Sequence, residues 1–303
     1  MSFIEIKNLT KKYGEQTAVD GFSLTVEEGQ IFAIVGPDGA GKTSLFRSLC
    51  GLLEFTEGEA FIAGYNITLE FDKVKNLLGY MPQDFSLYSD LTVEENLSFY
   101  AGLFGLKHNE FEQKKNRLYE FSGLGPFAAR RAAMLSGGMK QKLALSCNLI
   151  HDPRVLVLDE PTTGVDPLSR RQFWEILKTL RDDGAAIIVA TPYMDEVELS
   201  DKAIFVHKGR ELSQGTPREL ASLYKGKVYS IDIFPSREVM VRVNAIAGVT
   251  GRRFGAALHV YTTADMNRDE LLTNLEKAGI DGTAVSEIPA ELEDVFIQLM
   301  GEE

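Results

Sequence analysis

Four short runs are apolar at every position: Ile31–Val35, Val155–Leu158, Ala185–Ala190 and Ala203–Val206. Continuous apolar character predicts parallel strands covered on both faces. Phe3–Lys7, Phe22–Val26 and Glu59–Ile62 mix apolar with polar positions between polar turns, which predicts antiparallel strands with one wet face. From Thr92 to Ser122 the spacing becomes helical. Thr92 and Glu95 are placed for a capping box, and Pro126 is expected to close the stretch. Near Leu223–Lys227 the pattern changes. It then predicts strand Val228–Ile233, helix Ser236–Ile246, strands Val249–Phe254 and Leu258–Thr262, helix Asn267–Ala278 and strand Thr283–Ser286. That βαββαβ order is ferredoxin-like. A last helix, Ala290–Met300, follows Pro289.

A chain of 303 residues exceeds the roughly 250–300 at which one core stops growing. Two domains are expected, 1–224 and 225–303, with a helical insert over about 85–150 in the first. A formal charge of −12 makes a general phosphate-backbone surface a poor prospect, so no nucleic-acid partner is expected. Cys50 and Cys147 lie in apolar helical stretches and read as buried core thiols in a reducing compartment. Met1–Thr10 lacks the apolar core of a signal peptide. No run reaches the ~18 apolar residues of a membrane span, so a soluble, cytoplasmic protein is expected.

Gly36-Pro37-Asp38-Gly39-Ala40-Gly41-Lys42-Thr43 fits G-x-x-x-x-G-K-[ST] and lies between the Ile31–Val35 strand and an apolar helix, Ser44–Leu53. The glycines let backbone N–H groups curl around a β-phosphate, and the helix terminus adds positive partial charge. Lys42 is placed to reach β/γ oxygens and the Thr43 hydroxyl to bind Mg²⁺. The strand Val155–Leu158 delivers Asp159 and Glu160 at its C-terminal end, where ligands of open parallel sheets bind. Asp159 can hold Mg²⁺ through water. Glu160 can accept a proton from an attacking water.

Leu135-Ser136-Gly137-Gly138-Met139-Lys140-Gln141 narrows the chemistry further. Ser136 is set to cap a helix running to Ile150, and the two glycines bare its N–H groups as an anion site. With these motifs in this order, residues 3 to 220 resemble the nucleotide-binding subunit of ATP-binding cassette (ABC) transporters. The resemblance implies an α/β fold: a P-loop ATPase domain with a parallel core sheet, an antiparallel β subdomain and a helical subdomain. It implies ATP and Mg²⁺ as ligands. Gln83, in Tyr80-Met81-Pro82-Gln83-Asp84, would touch Mg²⁺ and the attacking water. Tyr13 would stack on adenine, and Ser44 would complete the phosphate loop. Asp166, in Val165-Asp166-Pro167, would lie in a loop crossing a dimer interface. The resemblance further implies head-to-tail pairing with a second nucleotide-binding subunit, the same or a different chain, each ATP held between one chain's phosphate loop and the other's Leu135–Gln141. Phe85–Leu97 and Glu291-Leu292-Glu293-Asp294-Val295-Phe296 resemble segments of ABC-2-type exporter subunits, which implies separate transmembrane permease chains and a peripheral place on the cytoplasmic face of the membrane. Asp84–Tyr88 would line a groove for one of their helices.

Two positions depart from the family pattern. Asp38 stands where asparagine is usual, a carboxylate in an anion cradle, offset by Mg²⁺ and Lys42. Pro192, in Thr191-Pro192-Tyr193-Met194-Asp195-Glu196, takes the place of a histidine that hydrogen-bonds the γ-phosphate. Proline has neither a side-chain donor nor a backbone N–H. Thr191 or Tyr193 are the residues left to substitute. The expected site binds ATP and hydrolyses it poorly. Two alternatives stay open: a non-transport ABC ATPase, and a regulatory cassette that does not hydrolyse.

Overall fold

The computed structural model describes residues 2–84, 87–254, 257–263, 266–280 and 285–301, apart from the side chain of Phe254. The chain folds as two units, Met1–Pro217 and Arg218–Glu303. Among the described residues no helix is long and apolar enough to cross a membrane.

In the first unit β1 (Ser2–Tyr13), β2 (Gln16–Glu27), β4 (Glu57–Ile62) and β5 (Tyr65–Asn66) form an antiparallel sheet in the order β2-β1-β4-β5. A second sheet has the order β10-β9-β3-β8-β7-β6. Its strands are β3 (Ile31–Val35), β6 (Leu78–Met81), β7 (Val155–Asp159), β8 (Ala186–Thr191), β9 (Lys202–His207) and β10 (Arg210–Gly215). All pair in parallel except β10 with β9. β3, β7 and β8 are buried at every residue, as their unbroken apolar runs require. One core joins the two sheets through α1 (Lys42–Leu49): Ile4, Leu9 and Phe22 lie in the same cluster as Phe46, Leu49, Ile34, Val157 and Ile188.

The helices are α2 (Phe71–Val74), α3 (Val93–Leu103), α4 (His108–Ser122), α5 (Gly137–Leu149), α6 (Pro167–Asp182) and α7 (Met194–Val197), with α8 (Pro217–Ala221) at the division. The Thr92–Glu95 capping box forms as expected. The stretch to Ser122 is two helices rather than one, broken between Leu103 and His108. It ends before Pro126, where Gly123 turns left-handed at φ 70°. α1 begins at Lys42, two residues before the expected Ser44, and stops at Leu49 rather than Leu53. Cys50 and Cys147 are free and buried.

The second unit contains β11 (Lys227–Ile231), α9 (Arg237–Asn244), β12 (Val249–Phe254), β13 (Ala257–Thr262), α10 (Arg268–Lys277), β14 (Val285–Ile288) and α11 (Leu292–Gly301). Its sheet order, β12-β13-β11-β14, antiparallel throughout, is the ferredoxin-like arrangement. Ser236 and Asn267 cap the two crossing helices. The last strand runs Val285–Ile288. Thr283 and Ala284, where it was expected to begin, lie outside the described residues.

Candidate functional site

The loop Gly36–Gly41 leaves the C-terminal end of β3 and enters α1, with Ala40, Lys42 and Leu45 buried beneath it. Gly41 sits at φ 97°, and a Cβ there would lie 2.1 Å from the Ala18 carbonyl oxygen. Only glycine meets both demands. Because α1 starts at Lys42, Lys42, Thr43 and Ser44 all occupy its first turn. Pro37, Asp38 and Gly39 are exposed at the loop tip, so the Asp38 carboxylate is solvated.

Lys42 is almost wholly enclosed. Its Nζ donates to the carbonyls of Gly36 (2.7 Å) and Pro37 (3.2 Å) and pairs with Glu160 Oε1 at 3.2 Å. Glu160 Oε2 accepts from Gln83 Nε2 at 3.1 Å and from the Thr163 hydroxyl at 3.3 Å. Glu160 holds a left-handed backbone, φ 49°. A glutamate pays roughly 1–2 kcal/mol for that conformation, so the surrounding fold imposes it. β6, too short to stand out in the sequence, pairs with β7 and carries Gln83 to within reach of Glu160.

Asp159 ends β7 fully buried, and neither carboxylate oxygen completes a hydrogen bond. Burial pushes its pKa up. The Thr43 hydroxyl beside it pulls the other way, too weakly to reverse the shift. A buried carboxylate without a full partner, next to a hydroxyl, fits a hard cation that takes the rest of its shell from phosphate and water. Among the described residues no group of three His, Cys, Asp or Glu is placed to hold a metal by itself.

Tyr13 closes the edge of this site. Its hydroxyl lies 3.3 Å from Ser44 Oγ, and the residue is 48% exposed.

Leu135–Gln141 forms the start of α5. Ser136 caps it, accepting from the Met139 N–H at 3.4 Å. Among the described residues no hydrogen bond or ion pair joins this segment to residues 36–44 of the same chain. It packs instead on the loop holding Asp166: a Cβ at Gly138 would lie 2.5 Å from Ser169 Cβ and Oγ. Asp166 caps α6 through the Ser169 N–H at 3.0 Å, which holds its carboxyl below the usual range. Met134 (72%) and Leu168 (66%) leave apolar surface exposed beside these two helix starts.

The segment after β8 contains a network that the sequence did not signal. Glu196 is buried and accepts from the hydroxyls of Thr162 (2.6 Å) and Thr191 (2.5 Å), with Arg170 Nε 3.9 Å away. Burial raises its pKa. The Thr191 hydroxyl also accepts from the Tyr193 N–H at 3.1 Å, and the Tyr193 ring lies under the Arg170 guanidinium at 4.3 Å. Thr191 is thereby committed inward, while Pro192 is exposed.

The family described as ABC transporter matches residues 19–163. Over 217 residues the chain is 44% identical to the probable multidrug ABC transporter ATP-binding protein YbhF of Escherichia coli (strain K12), a match covering 72% of this chain. The chain spans only 38% of that relative's length. It is 35% identical over 306 residues to the Nod factor export ATP-binding protein I of Ralstonia nicotianae, covering 99% of this chain and 94% of that one. A solved dimeric ATP-binding cassette, in a post-hydrolysis state bound to ADP and Pi, superposes with a TM-score of 0.63 at 26% identity, covering 70% of this chain and 98% of that one.

Proposed function

The chain belongs to the ABC transporter family, and we propose that it is the ATP-binding and ATP-hydrolysing motor subunit of an ABC-2-type exporter. The observation that carries this reading is the convergence of Lys42, Gln83 and the adjacent pair Asp159 and Glu160, from three separate segments, beside the phosphate loop. Backbone N–H groups from Gly36 to Ser44 would bind the triphosphate and Lys42 its β/γ oxygens. Thr43, Gln83 and Asp159 would hold Mg²⁺, which neutralises phosphate charge. Lys42 is already paired, so nucleotide must take it from Glu160. That exchange frees the carboxylate to accept a proton from water, which Gln83 helps to orient.

Among the described residues Leu135–Gln141 makes no hydrogen bond or ion pair with its own phosphate loop, and Ser136 and Gly137 at its helix terminus are exposed. Both suit the head-to-tail dimer, with Ser136–Gly138 completing a partner's site. We assign 1–224 to this ATP-binding domain, with its helical subdomain at about 85–150. Residues 225–303 form an accessory domain. On the helical subdomain Tyr88 (47% exposed) packs against Phe99 at 4.5 Å, an apolar surface suited to a helix of a permease subunit. Phe85, expected in the same groove, lies outside the described residues. Docked there, the subunit works on the cytoplasmic face of the membrane. The export roles in its relatives' names favour this reading over a non-transport ATPase.

Hydrolysis at this chain's own site would be slow. Pro192 offers no donor to a γ-phosphate, and Thr191 is already bonded to Glu196. A second reading, a cassette that binds ATP without turnover, rests on the same residues. Steady-state ATPase assays separate the two. Wild type should turn over slowly in a Glu160-dependent manner, and Pro192→His should raise the rate severalfold. Wild-type activity unaffected by Glu160→Gln would reject the hydrolytic site. Wild type as fast as Pro192→His would reject the impairment.

A further inference from the structure

Lys11 and Tyr13 are two residues apart at the end of β1, where its pairing with β2 is irregular, and their side chains meet. Lys11 Nζ sits over the Tyr13 ring, 5.0 Å from its centroid. The same ammonium donates to the Glu54 carbonyl at 2.6 Å, in the loop that follows α1. The Tyr13 hydroxyl meets Ser44 Oγ in the first turn of α1 at 3.3 Å. The ring is thus tied at its hydroxyl to the start of the phosphate-loop helix. The cation above it is tied to the chain leaving that helix. With one face under the ammonium and Tyr13 about half exposed, the other face is available to a flat partner.

We propose that Lys11 is a positioning residue for nucleotide binding, clamping Tyr13 from behind so that its free face stacks on the adenine base. This rests on the reading of Tyr13 as the adenine platform. A cation over one face draws π-electron density toward itself and leaves the opposite face a better partner for an electron-rich base. Anchoring to Glu54 also fixes the ring before nucleotide arrives, so less side-chain freedom is lost on binding. Neighbouring Lys12 pairs instead with Glu57 at 3.5 Å, while Lys11 is the lysine whose ammonium lies over the Tyr13 ring.

Calorimetric titration of the full chain with ATP and with inorganic tripolyphosphate tests the proposal. Lys11→Met should weaken ATP by about two- to fivefold, the range of an exposed cation–π contact. It should leave tripolyphosphate unchanged, and Lys11→Arg should restore ATP binding. Tyr13→Ala should weaken ATP by about five- to 150-fold, as loss of base stacking does. In the Tyr13→Ala background Lys11→Met should do nothing more. Equal weakening of ATP and tripolyphosphate by Lys11→Met would show a general charge effect and overturn the proposal. So would an unchanged ATP affinity in Lys11→Met while Tyr13→Ala still weakens it. If Tyr13→Ala itself has no effect, the platform is lost and the clamp with it. Retained tripolyphosphate binding shows that each variant is folded.

Discussion

Lys42 and Glu160 form a pair with side chains only 4% and 7% exposed, directly beside a second buried carboxylate, Asp159. Lys42→Ala removes the cation that is paired with Glu160 in that enclosure. Breaking a buried pair from one side costs about 3–5 kcal/mol, because the remaining charge is left without compensation. Gln83 and Thr163 still donate to Glu160, which favours the lower end, about 3 kcal/mol. For a unit of this size that is a fall in Tm of about 6–12 °C without nucleotide. Glu160→Gln should cost less, since it also relieves repulsion with Asp159. The double variant should be more stable than the sum of the two losses, with a coupling of about 1 kcal/mol or more, within the roughly 0.5–3 kcal/mol of residues in contact. Thermal unfolding of the four proteins completes the cycle. Strict additivity would refute the pairing. ATP binding gives an independent reading. Lys42→Ala should weaken it at least tenfold, about 1.4 kcal/mol. Glu160→Gln removes Lys42's internal competitor and should strengthen it. A weaker Glu160→Gln complex would contradict the exchange of partners at Lys42.

Three further outcomes follow from the same geometry. Burial raises the Asp159 pKa in the folded chain, so the folded form holds its proton more tightly than the unfolded form, and stability without nucleotide falls as pH rises from the ordinary carboxylate range through that raised value. Asp159→Asn should therefore raise the nucleotide-free Tm at pH 7, flatten this pH dependence, and abolish the Mg²⁺-dependent gain in ATP affinity. A lower Tm across pH 5–8 would contradict it. Gly138→Ala drives a Cβ to 2.5 Å from Ser169, so it should weaken ATP-dependent dimerisation while single-chain ATP affinity stays within about twofold. Tyr88→Ala should reduce transport in reconstituted membranes and leave ATP affinity intact; full-rate transport would remove the permease surface from consideration.

The strands that position this site were legible because β3, β7 and β8 are covered on both faces and so carry unbroken apolar runs. The phosphate loop and the α5 start were legible for another reason: their chemistry needs glycine and one hydroxyl or amine at fixed spacing. β6 was not legible. It is four residues long, and what makes it a strand is pairing with β7, where Tyr80 lies opposite Val157, far along the chain, and not anything local. The break at 104–107 was hidden because helical spacing resumes on its far side. Glu196 was hidden for a deeper reason. A glutamate in an acidic stretch reads as solvated, and only the approach of Thr162 and Thr191 through the fold makes it a buried acceptor. The same contact settles which way Thr191 faces, a question its sequence neighbours left open.

In the proposed arrangement ATP joins two copies of the cassette through the phosphate loop of one and Ser136–Gly138 of the other. Light scattering on Glu160→Gln with Mg²⁺ and saturating ATP tests it most directly, because the substitution keeps the shape of the site and removes the proton acceptor that would discharge the complex. The 33.6 kDa chain should shift to a particle of twice that mass, a shift reversed by removing ATP and lost in Lys42→Ala. A particle that remains at 33.6 kDa at every ATP concentration, while calorimetry shows ATP bound, would contradict it.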